Sequence, residues 1–116
     1  MKLLIIDDEK SIRNTLKDIL EFEGHEVHLA SDGVEGLAMA TSDNYEVIFS
    51  DIKMPNMDGL EATRIIHELS PETPVIMQSA YAFAEDKERA AEAGCIDFLV
   101  KPVTKQALMD MIAKYL

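Results

Sequence analysis

Leu3-Leu4-Ile5-Ile6, closed at once by Asp7-Asp8-Glu9, sets four consecutive apolar residues directly against three carboxylates. A strand with one wet face alternates apolar and polar side chains, so an unbroken run this short reads as a strand covered on both faces. Outward from it the period changes. Ile12, Leu16, Ile19 and Leu20 recur at i, i+4, i+7 and i+8, one face of a helix that Gly24 terminates. The same two-part unit then repeats to the end of the sequence. Val27-His28-Leu29 and its neighbours form a short strand, and a helix opening at Asp32-Gly33 is expected to turn Val34, Leu37 and Ala38 inward. Glu46-Val47-Ile48-Phe49-Ser50 is a third strand, followed by a loop through Pro55. The next helix carries Ala62, Ile65, Ile66 and Leu69 on one face, with Asp58 and Glu61 at capping-box spacing before it. Pro74-Val75-Ile76-Met77 opens a fourth strand, and an Ala-rich helix over about residues 84–93 runs to Gly94. Cys95 to Val100 is the fifth strand. Thr104 caps a last helix that turns Leu108, Met111 and Ile112 inward. Doubly covered strands separated by helices predict an α/β fold with a parallel sheet between two helix layers. Five units with right-handed crossovers fit an open doubly wound sheet, whereas a barrel needs eight.

The 116 residues suit one domain, residues 1–116, and the 47% hydrophobic fraction fills one core. Eleven Lys and Arg face 22 Asp and Glu, a net charge of −11, which argues against direct nucleic-acid binding, because phosphates are held by clustered cations. No apolar run is long enough to span a membrane, and Asp7-Asp8-Glu9 interrupts any signal-peptide pattern, so a cytoplasmic location is expected. Cys95 is the only cysteine; it can form neither an internal disulfide nor a zinc site and reads as a small buried hydrophobe.

In an open parallel sheet, ligands bind beyond the carboxyl ends of the strands. Strand 1 ends on Asp7-Asp8, strand 3 on Asp51, strand 4 on Ser79 and strand 5 on Lys101. Singly, each has a plain alternative: an acid pair at a helix N-terminus, a loop acid, a turn serine, a solvated lysine. Together they bring three carboxylates, a hydroxyl and an ammonium to one edge. Three clustered carboxylates repel one another and call for a cation; all-oxygen ligands select a hard one, Mg²⁺ or Mn²⁺. Such an ion, with Lys101 as a second positive charge and Ser79 as a hydrogen-bond donor, suits a phosphoryl group. A carboxylate beside them can itself be the nucleophile, and Asp51, between the acid pair and Ser79/Lys101, is the natural choice. The predicted chemistry is phosphoryl transfer to a side-chain carboxylate.

Ile5-Ile6-Asp7-Asp8-Glu9, Ser50-Asp51-Ile52-Lys53-Met54-Pro55-Asn56-Met57-Asp58-Gly59, Ser79-Ala80 and Lys101-Pro102, in this order and spacing, resemble the receiver domains of two-component response regulators across the whole chain. The resemblance implies a flavodoxin-like sheet of order 2-1-3-4-5 with five helices. It implies that Asp51 is the phosphoacceptor, that Asp8 binds Mg²⁺ directly and Asp7 through water, and that the backbone carbonyl of Lys53 is a further ligand. Lys101, before a cis Lys101–Pro102 bond, would pair with Asp51 or the phosphoryl group. Ser79 would move to contact a phosphoryl oxygen, and Phe98 would be the switch aromatic that follows it inward; Tyr is commoner at that position, and a plain core role for Phe98 is the alternative. Tyr81 matches a position that influences access to the acyl phosphate, against a simple surface-loop role. His25, His28 and His67 are dispersed and match no site.

The function so implied is a phosphorylation-controlled switch in a phosphorelay and not an enzyme on a separate substrate. The phosphodonor would be a histidine kinase or histidine phosphotransfer protein. The output partner would dock on the face of helix 4, strand 5 and helix 5, where Met109 and Leu116 are expected to add an apolar outer patch; a homodimer is also compatible with the sequence. The sequence holds no output domain, so a stand-alone shuttle and a receiver cut from a larger regulator or hybrid sensor kinase both fit. Two other classes stay open: a metal-dependent phosphatase with an aspartyl nucleophile, and a flavodoxin-like cofactor binder. The phosphatases resemble a D-x-D signature that adjacent Asp7-Asp8 does not make, and Asp7-Asp8-Glu9 would repel a flavin phosphate.

Overall fold

The computed structural model describes residues 1–52, 54, 56–79 and 84–115. Among them strands and helices alternate strictly: β1 Lys2–Ile6, α1 Lys10–Phe22, β2 Glu26–Ala30, α2 Gly33–Ser42, β3 Val47–Asp51, α3 Gly59–Leu69, β4 Val75–Ser79, α4 Ala84–Ala93, β5 Asp97–Val100 and α5 Lys105–Ala113. The strands are all parallel in the order β2-β1-β3-β4-β5, as expected. β1, β3 and β4 are buried along nearly their whole length, which is why their sequences run apolar without alternation. Among the described residues, no helix is long and apolar enough to cross a membrane.

Side chains that alternate along each strand feed two cores. Leu3, Ile5, Val47, Phe49 and Ile76 point to one face and meet Leu16 and Leu20 of α1 and Leu108, Met111 and Ile112 of α5. Leu4, Ile6, Ile48, Val75 and Met77 point to the other and meet Leu60 and Ile66 of α3 and Ala90 and Ala93 of α4. The sheet is therefore doubly wound.

Four details differ from the sequence-based expectation. Val34 and Ala38 of α2 are exposed, and the helix buries Gly33 and Gly36 instead. A Cβ on Gly36 would lie 2.5 Å from the Ile6 side chain. This helix docks by close backbone approach, a contact that counting apolar residues does not register. Leu69 is also exposed; it sits at the last position of α3, beyond the edge of the core. β5 begins at Asp97, two residues later than expected, and as an edge strand it buries only Leu99 well. Met109, expected to face outward, is partly buried against the α1/α5 core; Leu116 lies outside the described residues. Cys95 is half-buried at the margin of the α3/α4 core, and its thiol, pushed up by burial, donates to the Asp97 carbonyl at 3.1 Å.

Candidate functional site

The carboxyl edge of the sheet is where the polar strand ends meet. Asp7 follows β1 directly and is held by its own backbone N–H donating to the Ala30 carbonyl at 3.1 Å. Asp51 is the last residue of β3 and Ser79 the last of β4. Lys101 follows β5, its N–H donating to the Ser79 carbonyl at 2.7 Å, and the Lys101–Pro102 bond is cis.

Lys101 bridges two carboxylates. Its Nζ lies 2.9 Å from Asp7 Oδ2 and 3.3 Å from Asp51 Oδ1, with the Asp7 side chain fully buried and that of Asp51 11% exposed. Asp7 Oδ1 accepts from the Glu9 N–H at 2.9 Å and its Oδ2 also accepts from Gln78 Nε2 at 3.2 Å. Asp51 Oδ1 accepts from the Ile52 N–H at 3.0 Å. The two acids thus share one lysine unequally. Burial, and then the nearby Asp7 charge, push the Asp51 carboxyl up to about 6 against the opposing pull of Lys101 and the Ile52 N–H. For Lys101, burial pulls downward, but hydrogen bonding to Asp7 and the charges of Asp51 and Asp7 outweigh it and leave the ammonium raised. It stays charged at any physiological pH.

Asp8 is exposed beside this pair, and one oxygen each from Asp7, Asp8 and Asp51 lie within 4.8 Å of one another. Three carboxylates against one ammonium leave two negative charges, which a single divalent cation balances. The all-oxygen donor set and the partly open position at Asp8 fit Mg²⁺ or Mn²⁺, which keep water ligands, and do not fit zinc. The residues present therefore suit the metal expected.

The described residues between β3 and α3 are tied to α2, to α3 and to the end of β3. Asp58 caps α3 by accepting from the Glu61 N–H at 2.9 Å, and Asn56, at φ 70°, donates from Nδ2 to Asp32 Oδ2 at 3.1 Å. Asp32 in turn caps α2. The Gly59 N–H donates to the Ile52 carbonyl at 2.7 Å, and a Cβ at Gly59 would stand 1.9 Å from the Asp51 carbonyl oxygen. That obstacle is backbone and cannot rotate aside. Gly59→Ala is expected to cost about 3 kcal/mol, the upper range for inserting a methyl group into a filled site, and to displace Asp51. Urea denaturation checks the first part; an unchanged midpoint would contradict it.

Of the residues the sequence singles out, the structure brings Asp7, Asp51 and Lys101 into direct contact, Asp8 within ligand distance, and Ser79 to the same edge as a buried residue. Phe98 is half-buried beside the α3/α4 core, with Lys87 Nζ 5.9 Å from its ring centroid. Lys53 and Tyr81 lie outside the described residues. The histidines are elsewhere: His25 Nδ1 meets the N-terminal amine, His28 bonds Tyr45 and Glu26, and His67 is exposed on α3. Gln78 is the site residue that sequence reasoning missed. A lone amide after Val75-Ile76-Met77 in a buried strand was the available signal.

Residues 3–113 match the family described as the response regulator receiver domain. The sensor histidine kinase RcsC of Salmonella typhi is 38% identical over 115 residues, which cover 99% of this chain and 12% of that protein. The chain spans about half the length, or less, of the curated relatives it matches. Among solved structures, Vibrio cholerae chemotaxis protein CheY4 superposes with a TM-score of 0.94 at 34% identity, covering 99% of this chain and 98% of that one. The receiver domain of sensor histidine kinase PA1611 from Pseudomonas aeruginosa PAO1, which has a magnesium ion coordinated in its active site cleft, gives 0.91 at 28% identity, covering 98% and 95%.

Proposed function

The chain belongs to the response regulator receiver domain family, whose members are signalling switches and not turnover enzymes on a separate substrate, and from that premise we propose that Asp51 is its phosphoacceptor. The phosphatase and flavin-binding alternatives fall with that membership. One observation carries the reading: the oxygens of Asp7, Asp8 and Asp51 converge on a single space that also holds the Lys101 ammonium.

Asp7, Asp8, Asp51 and the backbone carbonyl of Lys53 would hold Mg²⁺ or Mn²⁺. When bound, that ion supplies positive charge to the phosphoryl oxygens and favours the ionised form of Asp51. The rest is done by the chain itself. Ionised Asp51 offers a carboxylate oxygen to phosphorus, an O–P bond forms, and the P–N bond to a partner phosphohistidine breaks. The imidazole leaves with the electron pair and takes up a proton. Lys101, already 3.3 Å from Asp51, neutralises charge on the transferring group. Ser79, at the end of β4, contacts a phosphoryl oxygen, and Phe98 follows it as the second half of a two-state element. Tyr81 controls access to the acyl phosphate. The donor is a histidine kinase or histidine phosphotransfer protein, the output partner binds the α4–β5–α5 face, and the single receiver domain over residues 1–116 works in the cytoplasm.

Site mapping tests this assignment. After incubation with Mg²⁺ and acetyl phosphate, borohydride reduction converts an aspartyl phosphate to homoserine. The expected change is in the peptide containing Asp51, and reduction at any other carboxylate would overturn the assignment.

A further inference from the structure

Gln78 is fully buried in β4, yet it is polar, and its Oε1 has no hydrogen-bond partner among the described residues. An apolar side chain of the same length would fill this place without stranding a carbonyl oxygen. The other end of the amide shows what the glutamine does there. Gln78 Nε2 donates at 3.2 Å to Asp7 Oδ2, the same oxygen that accepts from Lys101 Nζ at 2.9 Å. The amide must be oriented this way, because the opposite one would set Oε1 against a carboxylate oxygen. Gln78 lies opposite Asp51 in the strand register, and β3 separates β4 from β1, so the side chain reaches past Asp51's strand to Asp7. A shorter side chain would not span that distance, and a glutamate would face Asp7 with a like charge.

We propose that Gln78 is a positioning residue that holds the buried Asp7 carboxylate while Lys101 turns from Asp7 to the phosphoryl group on Asp51. This rests on Asp51 being the phosphoacceptor. Before transfer, Asp7 Oδ2 has two donors, Lys101 and Gln78. When the ammonium moves to the incoming phosphoryl oxygens, Asp7 remains buried and charged, and Gln78 is the donor left on that oxygen. Without the amide, Lys101 can leave only by stripping Oδ2 of its last side-chain donor among the described residues, so the lysine stays closer to Asp7 and transfer slows. The bond formed and the bond broken are unchanged; Gln78 acts through Lys101 and never touches the phosphoryl group.

The test compares the wild type with Gln78→Met, which keeps length and bulk and removes both polar atoms. Three quantities are measured: the phosphorylation rate with acetyl phosphate at saturating Mg²⁺, the Mg²⁺ affinity by calorimetry, and the thermal midpoint without metal or phosphodonor. The expected result is a rate about tenfold lower, the loss of one hydrogen bond to a charged group, with Mg²⁺ affinity undiminished and the midpoint unchanged or raised. A merely structural role would lower the midpoint and weaken Mg²⁺ binding in parallel, and that pattern would overturn the proposal. So would an unchanged rate. Gln78→Leu, which likewise removes both polar atoms, should slow transfer as much and serves if the methionine variant does not fold. Should the wild type itself gain no phosphoryl group, the phosphoacceptor reading fails and this proposal with it. If the wild type is phosphorylated and Gln78→Met matches it, the proposal alone fails.

Discussion

Asp51→Asn is expected to make the Mg²⁺-free protein more stable near neutral pH, by about 1–3 kcal/mol, while removing its capacity to accept a phosphoryl group. The Asp51 carboxyl stands at about 6 in the fold, raised from 3.8 by burial and by Asp7. A carboxyl raised on folding binds its proton more tightly in the native state than in the unfolded chain. Its contribution is therefore fully present below pH 3.8, where both states are protonated, and is lost as pH rises through about 6. The difference corresponds to about 3 kcal/mol, lessened by the solvent that reaches the cleft side of the residue. Asparagine has no proton to lose and escapes the penalty. Urea denaturation followed by circular dichroism should thus show the gain near neutral pH and no gain below about pH 4. A variant equally stabilised at both pH values would contradict the electrostatic cause.

Lys101→Ala should have the opposite effect in the same buffer, a loss of about 3 kcal/mol. Lys101 is the one cation in contact with the buried Asp7 and Asp51 carboxylates among the described residues. Removing one partner of a buried pair costs about 3–5 kcal/mol, because the charge left behind has no compensation. The lower value is expected here, since Asp7 keeps bonds from the Glu9 N–H and Gln78. Two conditions should relieve the loss. Acidification protonates Asp51, which in this variant no longer has the Lys101 ammonium to hold its carboxyl down, and removes one of the unpaired charges. Mg²⁺, binding only to the native acidic cluster, restores stability by mass action. A Lys101→Ala protein as stable as the wild type without metal, or no more stable with it, would contradict this account of the cluster.

The two effects share a cause that can be traced back along the sequence. Leu3-Leu4-Ile5-Ile6 and the strands like it are apolar on both faces because helices cover both, and this makes the sheet and its order legible. The same alternation of strand and helix forces each acid or lysine that ends a strand to the same edge, so Asp7, Asp8, Asp51 and Lys101 could be placed together from sequence. What sequence did not convey depends on three-dimensional closeness. Gly36 docks α2 through the absence of a side chain, so the exposed Val34 and Ala38 looked like its core face. Met109 packs partly buried against the α1/α5 core, although it lies off the stripe of Leu108, Met111 and Ile112, and periodicity over nine residues fixes such a position poorly. Lys101 prefers Asp7 over Asp51 by a few tenths of an ångström, and Gln78 reaches Asp7 past an intervening strand; neither follows from spacing along the chain.

We propose that Asp51 accepts a phosphoryl group in an acidic site that requires a divalent cation. Intact-mass measurement after incubation with Mg²⁺ and acetyl phosphate tests it most directly. The wild type is expected to gain one phosphoryl group, and neither Asp51→Asn nor the wild type in excess chelator any. A wild type that never gains the group, or an Asp51→Asn variant that gains it equally, would contradict the claim.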